Sequence, residues 1–186
     1  MLALDIETTP DRRQPSGQRM TCASLVDVET GRLRQFQECT VMDLIACLLT
    51  ERIVGFNIIS FDLRILNDYL QHGSPGAAGR PGPTRPLHLP DLTALPHALD
   101  LYRDLWQRTG RNDISLDELS TGTLGQARPS HGGDLYSLGQ TRRLLANSAN
   151  GTRELAAIYR FGLRNQFVRW VDDQTGLPHE IPVHWT

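Results

Sequence analysis

The chain has 186 residues, enough for one domain with a sizeable buried core, and 19 basic against 21 acidic residues give a net charge of −2. All the basic residues are arginines, which excludes a Schiff-base lysine and the lysine of a phosphate-binding P-loop. Nothing in this balance marks a protein held on nucleic acid by bulk charge. No apolar run approaches the ~20 residues of a membrane helix. Three cysteines without paired spacing indicate free thiols in the cytoplasm rather than a zinc site.

The apolar pattern predicts three strands joined by tight turns, followed by alternating helices and strands. The predicted strands cover 2–6, 21–28, 32–37, 53–56 and 87–92, and the predicted helices cover 41–51, 61–70 and, after further helical segments, 152–170. Hairpin-linked strands are antiparallel, whereas strands linked through helices are parallel crossovers. The predicted fold class is therefore α/β, a mixed five-stranded sheet flanked by helices.

We expect residues 1–186 to form a single domain. A segment at about 73–86 carries four prolines and four glycines, a composition typical of irregular surface loops. We interpret it as an insertion within the domain rather than as a boundary between two domains. No other stretch of the chain is compositionally biased or repeated.

Two acids stand on the first predicted strand, at Asp5 and Glu7. Their spacing of two places both carboxylates on one face of an extended chain. Paired acidic oxygens suit a hard divalent cation such as Mg²⁺ or Mn²⁺. Alone the pattern is weak, because a second acid-x-acid triplet at 27–29 is explained by a hairpin turn.

A second acid follows the fourth predicted strand, in the string Gly55-Phe56-Asn57-Ile58-Ile59-Ser60-Phe61-Asp62. The string passes from a buried strand through a turn into a helix. An acid at a helix start is also explained by capping alone. However, ligand sites of α/β sheets form where strands end, so Asp62 is a candidate for the same site as the first two acids.

These two motifs, in this order, resemble motifs I and II of the DEDD 3′–5′ exonucleases, of the ribonuclease H-like branch that includes the proofreading domain of family B DNA polymerases. The likeness continues through 114–125 and the helix from Glu154, so it spans nearly the whole chain. The resemblance implies a ribonuclease H-like fold and metal-dependent phosphodiester hydrolysis at the single-stranded 3′ end of DNA or RNA, without a nucleotide cofactor.

The resemblance also implies roles for individual residues. Asp5 would bridge two metal ions, Glu7 would hold the ion beside the attacking water, and Asp62 would hold the other. Thr8, Asn57 and Phe61 match positions that bind substrate or support the site. For Asn57 and Phe61, helix capping and core packing are equally good explanations.

The third motif of the family departs from its pattern in this chain. Laid on the helix that contains Glu154, it places Gly162 where a fourth aspartate belongs and Ile158 where a Tyr or His orients water. Asp91 and Asp134 are candidate substitutes for the missing acid. The site could then hold two ions, one ion or none.

Two functions therefore stay open at this stage. One is an exonuclease whose activity is weakened by the loss of the fourth acid. The other is a catalytically inactive relative that binds nucleic acid or a protein partner. A scaffold that binds no nucleic acid is the least favoured alternative. Most arginines in the last helices, among them Arg142 and Arg143, are expected to form a solvated face, and some of them are candidates for a phosphate track.

Overall fold

The computed structural model describes residues 1–73, 89–126, 139–172 and 174–186. The strands are β1 (Leu2–Pro10), β2 (Gln18–Asp27), β3 (Leu33–Gln37), β4 (Ile53–Gly55), β5 (Ala98–Asp100), β6 (Phe167–Val171) and β7 (Pro178–Pro182). The α-helices, numbered here in chain order, are α1 (Val41–Thr50), α2 (Asp62–His72), α3 (Leu101–Thr109), α4 (Leu116–Leu124) and α5 (Thr141–Asn165). No helix in these ranges is both long and apolar enough to cross a membrane.

The main sheet has five strands in the order β3-β2-β1-β4-β5. β1, β2 and β3 pair antiparallel, and β4 and β5 join parallel to β1. The predicted α/β class with a mixed five-stranded sheet flanked by helices is confirmed. The three parallel strands end at one edge of the sheet, which we call the carboxyl edge.

Side chains alternate between the two faces of the sheet, and each face carries its own core. On β1, Leu2, Leu4 and Ile6 pack with α1 and α2, whereas Ala3 packs with α3, α4 and α5. This period of two is the reason why Asp5 and Glu7 share the face that carries α5.

Two elements differ from the sequence-based prediction. The fifth strand is Ala98–Asp100 rather than 87–92. A 3₁₀ turn begins at the end of the predicted position and runs from Leu92 to Ala94. The last helix begins at Thr141 and ends at Asn165 rather than at residue 170. Residues 74–86 of the predicted insertion lie outside the described part of the chain.

A β-hairpin replaces the end of the predicted last helix. β6 pairs antiparallel with β7, and the hairpin packs against α4 and α5. Gly122 on α4 permits this packing, because a Cβ there would lie 2.6 Å from the Arg169 carbonyl oxygen of β6. Gln166 ends α5 in the left-handed conformation at φ 62°, a place usually taken by glycine.

Candidate functional site

The candidate site lies at the carboxyl edge, where β4 stops short of β1. Ala3 pairs with Val54, and β4 ends one residue later, so the Ile6 N–H lies beyond the last strand partner on that side. The Asp62 Oδ1 atom accepts this N–H at 3.1 Å. The carboxylate of Asp62, the first residue of α2, thus takes the place of a strand carbonyl as the acceptor. Asp62 is buried, with 5% of its surface exposed.

The carboxylates of Asp62 and Asp5 are neighbours. Burial raises the pKa of Asp62 well above its usual range, and the negative charge of Asp5 raises it further. The hydrogen bond from the Ile6 N–H opposes part of this rise. The two acids that the sequence singles out on β1 and at the start of α2 therefore meet in space, and the charge of Asp5 disfavours ionisation of Asp62.

Glu7 lies farther along the same face and contacts α5. The Asn147 side chain donates its Nδ2 proton to the Glu7 Oε1 atom at 3.3 Å. Cys22 stands opposite Glu7 on β2, and burial raises the pKa of its thiol to about 12. The thiol is therefore neutral at physiological pH and is not a nucleophile.

The turn of helix α5 that carries Asn147 lies level with the acids of β1. The helix runs antiparallel to β1, since Asn147 contacts Glu7 while the Tyr159 hydroxyl donates to the Thr186 carbonyl at the opposite edge. The residue after Asn147, Ser148, is fully buried, and its hydroxyl shares a 2.8 Å hydrogen bond with the Ser24 hydroxyl. Ser24 is the β2 partner of Asp5, so the turn of α5 that contains Asn147 and Ser148 lies level with the acids.

The two residues assigned to the third motif lie elsewhere. Ile158 is fully buried in the core between the sheet and α5. Gly162 is fifteen residues beyond Asn147, about 22 Å along the helix axis. A Cβ at Gly162 would overlap the ring of Trp185, so this glycine seats the C-terminal tryptophan against the helix. The structure thus brings Asp5, Glu7 and Asp62 to one edge and leaves Ile158 and Gly162 at a distance.

Asp100 is a buried acid of this edge that the sequence reasoning missed. It ends β5 and is 5% exposed. Its carboxylate accepts the Asn57 N–H at 2.9 Å and the Ile59 N–H at 3.1 Å, which fixes the turn between β4 and α2. Asn57 is left-handed in this turn, at φ 59°. The charge of Asp100 also contributes to the raised pKa of Asp62.

In the sequence, Asp100 is marked only by its position after a short apolar pair and before an amphipathic helix. A strand of three residues is too short to show alternation. The predicted substitute Asp91 instead caps the 3₁₀ turn, where its Oδ1 accepts the Thr93 N–H at 2.9 Å, and is exposed. The other predicted substitute, Asp134, lies outside the described residues.

The remaining predicted residues border the same edge. Thr8 follows a β-bulge in β1 and is half-buried. Asn57 is part of the turn that Asp100 holds. Phe61 immediately precedes Asp62 and is 40% exposed, so it is not a core residue. An exposed ring beside the acids is available to contact a ligand.

The donor chemistry of the edge suits a hard cation only in part. Within the described ranges, no three His, Cys, Asp or Glu side chains converge as a metal-binding group. Mg²⁺, however, is commonly bound by one or two carboxylates and several waters. The neighbouring carboxylates of Asp5 and Asp62, with the charge of Asp5 raising the pKa of Asp62, fit one such ion.

Together, the fold and these acids define an α/β protein with an acidic site at the ends of its parallel strands. No protein-family model matches the chain, and no curated protein matches it.

Proposed function

We propose that this chain is a ribonuclease H-like 3′–5′ exonuclease that hydrolyses phosphodiesters at DNA or RNA 3′ ends with Mg²⁺ or Mn²⁺. The observation that carries the proposal is the burial of Asp62 beside Asp5 at the end of β4. Burying two acids side by side disfavours their ionised forms, and acids perturbed in this way cluster at functional sites. Pairing the acids with a divalent cation offsets the cost of ionising them.

In this proposal Asp5 and Asp62 hold one ion, and Glu7 lies beside it on the same strand face. The ion would supply positive charge for the phosphate and lower the pKa of the attacking water. The Ile6 N–H fixes the orientation of the Asp62 carboxylate. Asp100 positions the turn that leads into Asp62.

The surrounding residues would orient the substrate. Phe61 offers an exposed ring against which a base could stack. The Asn147 amide holds Glu7 and prevents its side chain from rotating away from the edge. Neutral Cys22 adds no charge beside Glu7. The carboxylates that hold the ion would therefore have their orientations set before the substrate phosphate binds.

A second candidate function is a catalytically inactive homologue that binds nucleic acid or a protein partner. The specific observation in its favour is that α5 brings Asn147 to Glu7 and Ser148 to Ser24, the strand partner of Asp5, and neither residue supplies a carboxylate. In this case the acids would bind at most one ion, and the edge would recognise a 3′ end without cutting it.

The two functions are distinguished by incubating the purified protein with 5′-labelled single-stranded DNA and RNA in Mn²⁺. An exonuclease shortens the label stepwise from the 3′ end, and Asp5→Asn abolishes the shortening. Asp43→Asn, an exposed acid in the first turn of α1, is the matched control and leaves it unchanged. Binding without shortening would contradict the exonuclease and favour the inactive homologue.

A further inference from the structure

A cavity of about 290 Å³ lies between the start of β2, the end of β3 and the first turns of α5. We call it the β2–α5 cleft; its lining includes Arg19, Cys22, Gln37, Thr141, Leu144 and Leu145. It adjoins the candidate site, because Cys22 pairs with Glu7 across β1 and β2. The Thr21 hydroxyl, also in the lining, donates to the Glu7 carbonyl at 2.9 Å.

The cleft continues outward to a pair of arginines. A shallow pocket formed by residues 139–143 shares Thr141 with it and includes Arg142 and Arg143. Both arginines are exposed. Arg143 donates to the Gln140 side chain at 2.8 Å, and within the described part of the chain neither arginine forms an ion pair. Their charges are therefore available to an anionic ligand.

The inner cleft differs in character from this outer part. Arg19 is neutralised by Glu38, with which it forms a salt bridge. Leu144 and Leu145 supply an apolar wall, while Gln37 and Thr141 supply an amide and a hydroxyl at the mouth. Apolar walls with a few placed polar groups are typical of small-molecule sites, which start near 300 Å³. The volume suits one nucleoside unit and excludes a duplex.

We propose that the β2–α5 cleft binds one nucleotide of a single-stranded nucleic acid, with the base in the inner cleft and the adjoining phosphates on Arg142 and Arg143. The bound strand would run from the acids, past Cys22, to the start of α5. Arginine suits this role because its planar fork matches phosphate oxygens. The inference rests on the proposed function for the identity of the ligand and adds the path that the strand takes.

The test measures binding of a fluorescein-labelled single-stranded oligonucleotide by anisotropy, in EDTA, at several KCl concentrations. For single strands the slope of log K against log salt is about −0.7 per phosphate contact. The double variant Arg142→Gln, Arg143→Gln should therefore reduce the slope by about 1.4 and weaken binding about 10-fold at low salt. Arg153→Gln with Arg164→Gln, two exposed arginines farther along α5, should change neither.

A second variant separates the cavity from the charges. Thr141→Trp narrows the mouth at an exposed position, so affinity should fall several-fold while the salt slope stays unchanged. Binding in EDTA that these variants weaken, with no shortening in the separate Mn²⁺ assay, would overturn the exonuclease but support the cleft. Absence of binding, or equal binding by wild type and the Arg142–Arg143 double variant, would overturn the cleft. Hydrolysis with unaltered binding by that variant would overturn the cleft and keep the exonuclease.

Discussion

The Ile6 N–H donates to the Oδ1 atom of Asp62 at 3.1 Å, so a carboxylate continues the hydrogen bonding of β1 beyond the end of β4. This single contact connects the acidic end of β1 to the start of α2. Because Asp5 stands beside it, the contact also places Asp62 where a neighbouring negative charge disfavours its ionised form.

Asp62→Asn should stabilise the unliganded protein above acidic pH. A carboxyl whose pKa is raised by folding contributes its stability below the unfolded pKa of about 4 and loses it as pH rises through the folded pKa. Asparagine keeps the acceptor for the Ile6 N–H but cannot ionise. In EDTA the melting temperature of the variant should exceed that of wild type at pH 8.

The gain should amount to about 1.4 kcal/mol for each unit by which folding raises the pKa. It should shrink towards zero near pH 4, where wild-type Asp62 is protonated. Asp43→Asn, also in the first turn of a helix but exposed, is the control and should show no such pH-dependent gain. Equal melting temperatures of wild type and Asp62→Asn at pH 8 would show that the buried acid is not under strain.

Asp100→Asn should loosen the turn between β4 and α2. Both oxygens of the carboxylate accept backbone N–H groups. An asparagine amide would face one of these N–H groups with its own NH₂ donor, and that N–H would lose its acceptor. Leaving a buried donor unsatisfied costs about 1–3 kcal/mol. Hydrogen exchange at the Asn57 and Ile59 amides should accelerate together with this loss in the free energy of unfolding.

The matched control for Asp100 is Asp91→Asn, which alters an exposed cap of a 3₁₀ turn and should cost less than about 1 kcal/mol. Because exchange at two particular amides is followed, general destabilisation is distinguishable from release of this turn. Unchanged protection of Asn57 and Ile59 in Asp100→Asn would mean that the turn holds its shape without the carboxylate.

Ser148→Asp should strengthen metal binding, because the Ser148 hydroxyl contacts Ser24, the strand partner of Asp5. A third carboxylate at this position should raise the affinity for Mn²⁺ about 10-fold or more, measured by calorimetry. Ser148→Ala separates this effect from the loss of the hydrogen bond to Ser24. An alanine variant that binds Mn²⁺ as tightly as the aspartate variant would contradict the placement.

Gly162→Asp should have the opposite outcome. Its side chain would meet the Trp185 ring and place a charge in the core, so we expect a loss of about 3 kcal/mol or more in the free energy of unfolding. Thermal denaturation measures this loss, and Mn²⁺ affinity should not rise. Tighter Mn²⁺ binding by Gly162→Asp would restore the original assignment of the third motif to this position.

The sequence predicted the first four strands and the meeting of Asp5 with Asp62, because alternation along β1 and the string from Gly55 to Asp62 are local signals. It missed the β6–β7 hairpin, since Gln166 ends α5 without the glycine that usually marks a helix end. The apolar residues of β6 therefore look like a continuation of the helix in the sequence.

The position of α5 against the sheet could not be predicted from the sequence either. Apolar spacing shows which face of a helix is buried, but not which turn of the helix lies beside a given strand residue. The contact between Asn147 and Glu7 settles this for the described residues. The part of α5 that faces the acids is therefore about 22 Å from Gly162 along the helix axis.

The most direct test of the account is a crystal of this protein soaked in Mn²⁺ and measured for anomalous scattering. The account predicts one strong peak bridged by the carboxylates of Asp5 and Asp62, and its loss in Asp5→Asn. A peak elsewhere, or no peak at an Mn²⁺ concentration that supports hydrolysis, would contradict the claim that this buried pair is a cation site.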